Sequence, residues 1–148
     1  MKRSEALAIL SRDHHQALFV ASRLRRADAE TAAAACERFR GYWQPAGNRH
    51  FRLEEELLLP AYARYGDPRH PLVLRALGDH VDIRGQAQRL LEQAEPSLEA
   101  LHELGASLAA HVRLEERQLF GIIEQVMPAD ELLAIAQALE GAEAGEEP

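Results

Sequence analysis

His50-Phe51-Arg52-Leu53-Glu54-Glu55-Glu56-Leu57-Leu58-Leu59 returns sixty-one residues later as His111-Val112-Arg113-Leu114-Glu115-Glu116-Arg117-Gln118-Leu119-Phe120. The shared frame is H-x-R-L-E-E-x-x-L, and its chemical content is a His followed four residues on by a Glu, twice. On a helix, positions i and i+4 lie only about 40° apart and one turn along, so both side chains point the same way. Imidazole nitrogen and carboxylate oxygen are donors that suit iron, manganese or zinc. Both copies sit among apolar residues, where an unpaired polar group is costly. Two such pairs facing each other across a bundle make half or more of a dinuclear metal site.

Outward from these segments the chain reads as helical. It is rich in Ala, Leu, Glu and Arg and poor in aromatic and β-branched residues. The spacing predicts a first helix over residues 4–27, with Leu7, Leu10, His14, Ala17, Leu18 and Ala21 on one stripe. Ser11 is an alternative cap that would leave residues 4–10 as a separate turn. A second helix is expected over 29–64, its inward face formed by Phe39, Trp43, Ala46, His50, Leu53, Glu54, Leu57 and Ala61. Pro45 lies inside that span, which predicts a kinked helix that keeps its phase, and Pro60 adds a second bend. The turn cluster Gly66 to Pro71 precedes a third helix over about 71–94, with Val73, Leu77, His80, Ile83, Ala87 and Leu91 inward. After Pro96-Ser97 a fourth helix runs to about Met127, carrying Leu101, Leu104, Leu108, His111, Glu115, Leu119 and Ile122 on its stripe. Residues 129–139 form a short amphipathic fifth helix, and 140–148 an acidic, Gly-containing tail expected to be disordered. The expectation is an all-α protein: one domain over 1–139, an up-down-up-down four-helix bundle with a short C-terminal fifth helix.

Each bundle helix carries one histidine at the centre of its apolar stripe. The candidate metal-ligand set is His14, His50, Glu54, His80, His111 and Glu115. Four inward imidazoles without a metal would leave many buried polar atoms unmatched. His15 and Glu116 remain alternatives to His14 and Glu115, although helix phase favours the latter two. Glu55, Glu56 and Glu116 fall about 100–200° from the inward direction and read as solvated charge. His102 falls on the solvent side and His70 in a Pro-flanked turn. The single cysteine, Cys36, reads as a buried, inert thiol.

With a net charge of −7 and no basic stripe, nucleic acid is not an expected partner. No apolar run approaches the ~18 residues of a membrane span. The opening residues lack the apolar core of a signal peptide, so the default expectation is a cytoplasmic protein.

The pattern Asp-His in the first helix, His50 to Pro60 in the second, Asp79-His80 in the third and His111 to Phe120 in the fourth resembles the hemerythrin-like, HHE cation-binding family, over about residues 11–127. The resemblance implies a four-helix bundle around a non-haem diiron centre, in which carboxylates and an oxo or hydroxo group bridge two iron ions. It differs from the oxygen-carrying members, which have two histidines four apart on the third helix. Arg84 stands one turn after His80 here, and Ala76 one turn before. Those members also place an Asp five residues after the last helix's His, where this chain has Glu116. The four-His, two-Glu set is closer to the branch of iron-centre repair proteins, whose N-terminal cysteine-containing segment has no counterpart in this sequence. Arg84 either snorkels to the bundle end or fills the missing ligand's space and pairs with a carboxylate or anion. The implied function is binding of O2, NO or peroxide at the iron pair, in sensing, scavenging or iron handling. The alternatives are a diiron oxidative enzyme, peroxidase-like or NO-reducing, and a metal-stabilised interaction module docking through the fifth helix.

Overall fold

The computed structural model describes residues 3–145, which form five helices and no strand. They are α1 (Glu5–Arg25), α2 (residues 32–63), α3 (Pro71–Glu92), α4 (residues 98–126) and α5 (Ala129–Gly145). The first four run up-down-up-down through short connections, as the apolar periodicity predicts. Polar caps set three of the starts. Ser4 Oγ accepts from Leu7 N–H at α1, Ser97 Oγ from Ala100 N–H at α4, and His70 Nδ1 from Leu72 N–H at α3. Pro71 follows at the first turn of α3, where its missing N–H costs nothing. Helix α1 is continuous through Ser11, so the shorter alternative does not hold.

The core has two halves. Leu7, Leu10, Leu58, Tyr62, Val73, Phe120 and Ile123 fill one end with the inner face of α5. Ala17, Ala21, Leu24, Phe39, Phe51, Ile83, Leu104 and Leu108 fill the other. Between α1 and α4 the backbones approach closely at Gly105, where a Cβ would lie 2.7 Å from the Ala21 carbonyl oxygen.

Two features depart from expectation. First, α2 and α4 contain wide π turns, Trp43–Gly47, Glu54–Leu58 and Glu115–Leu119. The first absorbs Pro45: Asn48 N–H reaches back to the Trp43 carbonyl. Gly47 is required there because the Tyr42 and Trp43 rings lie over it, with Trp43 Cε3 2.7 Å from where a Cβ would be. The other two begin at the candidate ligands Glu54 and Glu115. An extra residue in the turn moves the helix face by one position. Beyond Glu54 the fully buried residues are therefore Leu58, Leu59 and Tyr62, with Leu57 and Ala61 only partly covered. Beyond Glu115, Leu119 is buried as predicted, with Phe120 and Ile123 also fully buried and Ile122 only partly. The predicted constant phase fails at those turns.

Second, α5 continues to Gly145, through most of the expected tail. Residues 146–148 lie outside the described residues. Leu132, Ile135, Ala136 and Leu139 are buried in the bundle core, so the inner face of α5 is occupied within the chain. Cys36 is half-buried rather than fully buried, and burial pushes its thiol pKa up. No helix among the described residues is long and apolar enough to cross a membrane.

Candidate metal centre

Among the described residues, the buried polar or charged side chains are His14, His50, Glu54, His80, His111, Glu115 and Gln86. Gln86 is satisfied by Asp82 and Ser107. The other six are the residues that helix phase selects, and they form a polar layer in the bundle interior. His14 comes from α1, His50 and Glu54 from α2, His80 from α3, and His111 and Glu115 from α4. His15 is exposed, which leaves His14 as the inward histidine of that pair.

The six residues fall into two overlapping groups, His14–His50–Glu54–Glu115 and Glu54–His80–His111–Glu115, each offering one ligand atom per residue with all atoms within 4.8 Å of one another. Both carboxylates belong to both groups. Glu54 lies 3.0 Å from His50 Nε2 through one oxygen and 2.9 Å from His80 Nε2 through the other. Glu115 lies 2.9 Å from His14 Nε2 through one oxygen and 3.2 Å from His111 Nε2 through the other. One histidine from each of two helices therefore flanks each side of a carboxylate pair.

Every imidazole is held from outside by a second carboxylate. His14 Nδ1 donates to Glu116 (2.8 Å), His50 Nδ1 to Asp13 (3.0 Å), His80 Nδ1 to Glu55 (2.6 Å) and His111 Nδ1 to Asp79 (3.1 Å). A carboxylate only accepts, so Nδ1 carries the proton and the inner Nε2 is left free to serve a cation. Glu55 and Glu116 are thus not solvated charge as their helix angle suggested; Glu56 is. Adjacent to an inward residue, a position turned by 100° faces the seam with the neighbouring helix, not bulk water. The signal in the sequence was the acid directly before an inward His or directly after an inward Glu.

The inner atoms show whether a metal fits. His50 Nε2, His80 Nε2, His111 Nε2 and both Glu54 oxygens are buried and make no hydrogen bond. They face one another at close range without the alignment of a donor and acceptor. With Nδ1 protonated, imidazole and carboxylate lone pairs converge, and only a proton or a cation relieves the repulsion. Without a metal, protons serve. Burial disfavours the charged imidazoles, yet the Glu115 and Glu54 carboxylates facing its Nε2 raise His80 to about 9. Against the same burial, the Glu115 charge and the Asp79 hydrogen bond raise His111 to about 10. His14 and His50 are raised for the same reason. Despite its burial, Glu115 is held well below the usual carboxylate range by the His111 charge and by its histidine hydrogen bonds. A site that binds protons this firmly binds cations by the same electrostatics.

Residues 6–123 match the model of the hemerythrin HHE cation-binding domain. The chain belongs to that family. No curated protein and no solved structure gives a significant match. Membership accounts for the cation-binding character of the layer and for its placement in a helical bundle. Within this hemerythrin domain, the outer acids close a circuit. Helix α1 supplies Asp13 to α2, α2 supplies Glu55 to α3, α3 supplies Asp79 to α4, and α4 supplies Glu116 back to α1. Of the two readings of Arg84, the pairing with a carboxylate holds: its Nη1 donates to Glu55 at 2.7 Å.

Proposed function

We propose that this hemerythrin-domain protein holds a pair of iron ions and binds O2, NO or peroxide there, in sensing, scavenging or iron handling. The observation that carries the reading is the sharing of Glu54 and Glu115 between two four-residue groups. In this reading His14 and His50 hold one ion, His80 and His111 hold the other, and the two glutamates lie between both. Two imidazoles and two carboxylate oxygens per ion form a mixed N/O donor set that suits iron or manganese. When bound, such an iron pair supplies a redox-active, Lewis-acidic position for a small ligand.

The chain's own residues do the rest. The four outer carboxylates fix the tautomer and orientation of each imidazole. The apolar halves of the core exclude water from both sides of the layer. Phe51 stacks on His80 (ring centroids 3.9 Å apart, 9° between planes) and Phe120 on His14 (5.5 Å, 13°), which closes the faces of two ligand rings. A surface groove between α1 and α2, lined by Phe19, Arg23 and Arg38, includes none of the six residues. This supports a diatomic or peroxide ligand over an organic substrate. Two inner carboxylates offset two of the four positive charges of a divalent pair, so the centre favours an anionic or readily reduced ligand.

Elemental analysis of protein purified without added metal, with a visible spectrum of the same sample, tests the reading. About two irons per chain and the charge-transfer absorption of a ferric pair are expected. Spectral changes of the reduced form with O2, NO and peroxide then separate the ligands. Zinc in the site, or no metal in a folded protein, would overturn it.

A further inference from the structure

The two halves of the polar layer are built alike but are not equal, and Arg84 is the difference. Glu116, Asp79 and Glu55, which each hold a histidine, are also bonded by an arginine. At Glu116, His14 uses Oε1 and Arg3 uses Oε2 (3.3 Å). At Asp79, His111 uses Oδ2 and Arg75 uses Oδ1 (3.4 Å). At Glu55, His80 Nδ1 (2.6 Å) and Arg84 Nη1 (2.7 Å) converge on the same oxygen, Oε2.

Arg84 is fixed for this contact. Its Nε donates to Asn48 Oδ1 at 3.1 Å, and its guanidinium carbon lies 5.6 Å from the centre of the Phe51 ring. Phe51 in turn lies flat on His80. Arg84 therefore bears on His80 by two routes, an anionic one through Glu55 and a stacked one through Phe51. At 31% side-chain exposure it is only partly solvated, so its charge is not fully screened.

We propose that Arg84 is a positioning residue that makes the two metal positions inequivalent. A hydrogen bond from guanidinium draws electron density from Glu55 Oε2. Less remains for the His80 Nδ1–H, so His80 has less imidazolate character and is a weaker donor at Nε2. The cationic charge acts in the same direction. An ion held by His80 and His111 is then more easily reduced than one held by His14 and His50. The redox consequence rests on the diiron reading; the sharing of one oxygen does not.

The test compares Arg84→Met, which keeps the stem and removes the donor and charge, with Arg84→Lys, which keeps the charge. In the iron-loaded protein, stepwise one-electron reduction of the ferric pair by dithionite is followed by potentiometry and by the EPR signal of the half-reduced state. Arg84→Met lowers one of the two potentials and leaves the other, equivalent to a change of about tenfold in the ratio of ferric to ferrous affinity at one position. Arg84→Lys restores part of the shift. In zinc-loaded protein, the His80 Nδ1–H proton resonance moves downfield in Arg84→Met while those of His14 and His111 stay. Equal movement of both potentials, or no movement of the His80 resonance, overturns the proposal. Absence of iron would sink the diiron reading alone, because the zinc-loaded measurement still reads Arg84. If Arg84→Met does not fold, Asn48→Ala releases the guanidinium without touching Glu55. It gives a smaller shift of the same sign, and its failure to do so counts equally against the proposal.

Discussion

Glu115→Gln is the substitution that most directly probes the shared-carboxylate arrangement. Glu115 is 1% exposed and reaches all four inner histidines: His14 at 2.9 Å, His111 at 3.2 Å, His80 at 3.9 Å and His50 at 4.0 Å. Glutamine keeps the volume, removes the charge and turns an amide toward nitrogens that face a carboxylate now. In metal-free protein this strips the acid partner from a buried cluster of protonated imidazoles, a loss of about 3–5 kcal/mol. For a chain of this length 1 kcal/mol shifts the melting temperature by about 2–4 °C, so a fall of roughly 6–20 °C is expected. If the proposed two-ion reading holds, one ligand is lost to both ions, and stoichiometry drops below two. Glu56→Gln is the control: its carboxylate is 60% exposed and, among the described residues, pairs with Arg52 at 3.6 Å, so its effect stays within about 1 kcal/mol. Calorimetric melts in chelator and elemental analysis after loading read both effects. A Glu115→Gln protein that melts within about 2 °C of the parent and still loads two ions would refute the reasoning.

Three further outcomes follow from the same contacts. Metal-free stability should fall on the alkaline side, because raised histidine pKa values give stabilisation that is complete below 6.5 and lost as pH passes about 9 to 10. His80 alone, moving from 6.5 to about 9, corresponds to about 3 kcal/mol, and it titrates with its neighbours, so the contributions do not add. Urea unfolding in chelator at pH 6.5 and pH 10 measures this, and equal stabilities would contradict it. Gly105→Ala should cost about 1–3 kcal/mol, since the new methyl meets the Ala21 carbonyl and Leu24 Cβ, yet leave metal content unchanged. Removing residues 129–148 should destabilise the bundle by at least about 4 kcal/mol, because Leu132, Ile135 and Leu139 are core residues, and a thermal melt unchanged by that truncation would show α5 to be an appendage.

The six residues of the buried layer were legible because the signal is strong at each of them. An imidazole in the middle of an apolar stripe, with a carboxylate one turn on, is chemically out of place unless it converges on something. The helix count and the connections were legible for a similar reason: Ser4, Ser97, Pro71 and Pro128 mark their ends in the sequence itself. The π turns were not. Pro45 announces a break in hydrogen bonding but not that a wide turn will repair it. The turns at Glu54 and Glu115 share their Glu-Glu start, yet neither has a proline within it. Each turn shifts the buried face by one residue, and a constant 100° count therefore names Leu57, Ala61 and Ile122 where Leu58, Tyr62 and Ile123 lie deeper.

Glu55 and Glu116 were misread by treating a bundle helix as if it had one neighbour. A helix in a four-membered ring has an inward line and, about 100° to either side, a seam shared with the next helix. Asp13 and Asp79 each precede an inward histidine; Glu55 and Glu116 each follow an inward glutamate. All four lie in seams, and each reaches the histidine of the adjacent helix instead of one on its own. The consequence is directional. A change at Asp13 is felt first at His50 on α2, and a change at Glu116 at His14 on α1. Because every helix both receives and supplies one such bond, no imidazole can be reoriented by moving its own helix alone. The ring therefore ties the packing of four helices to the geometry of one buried layer.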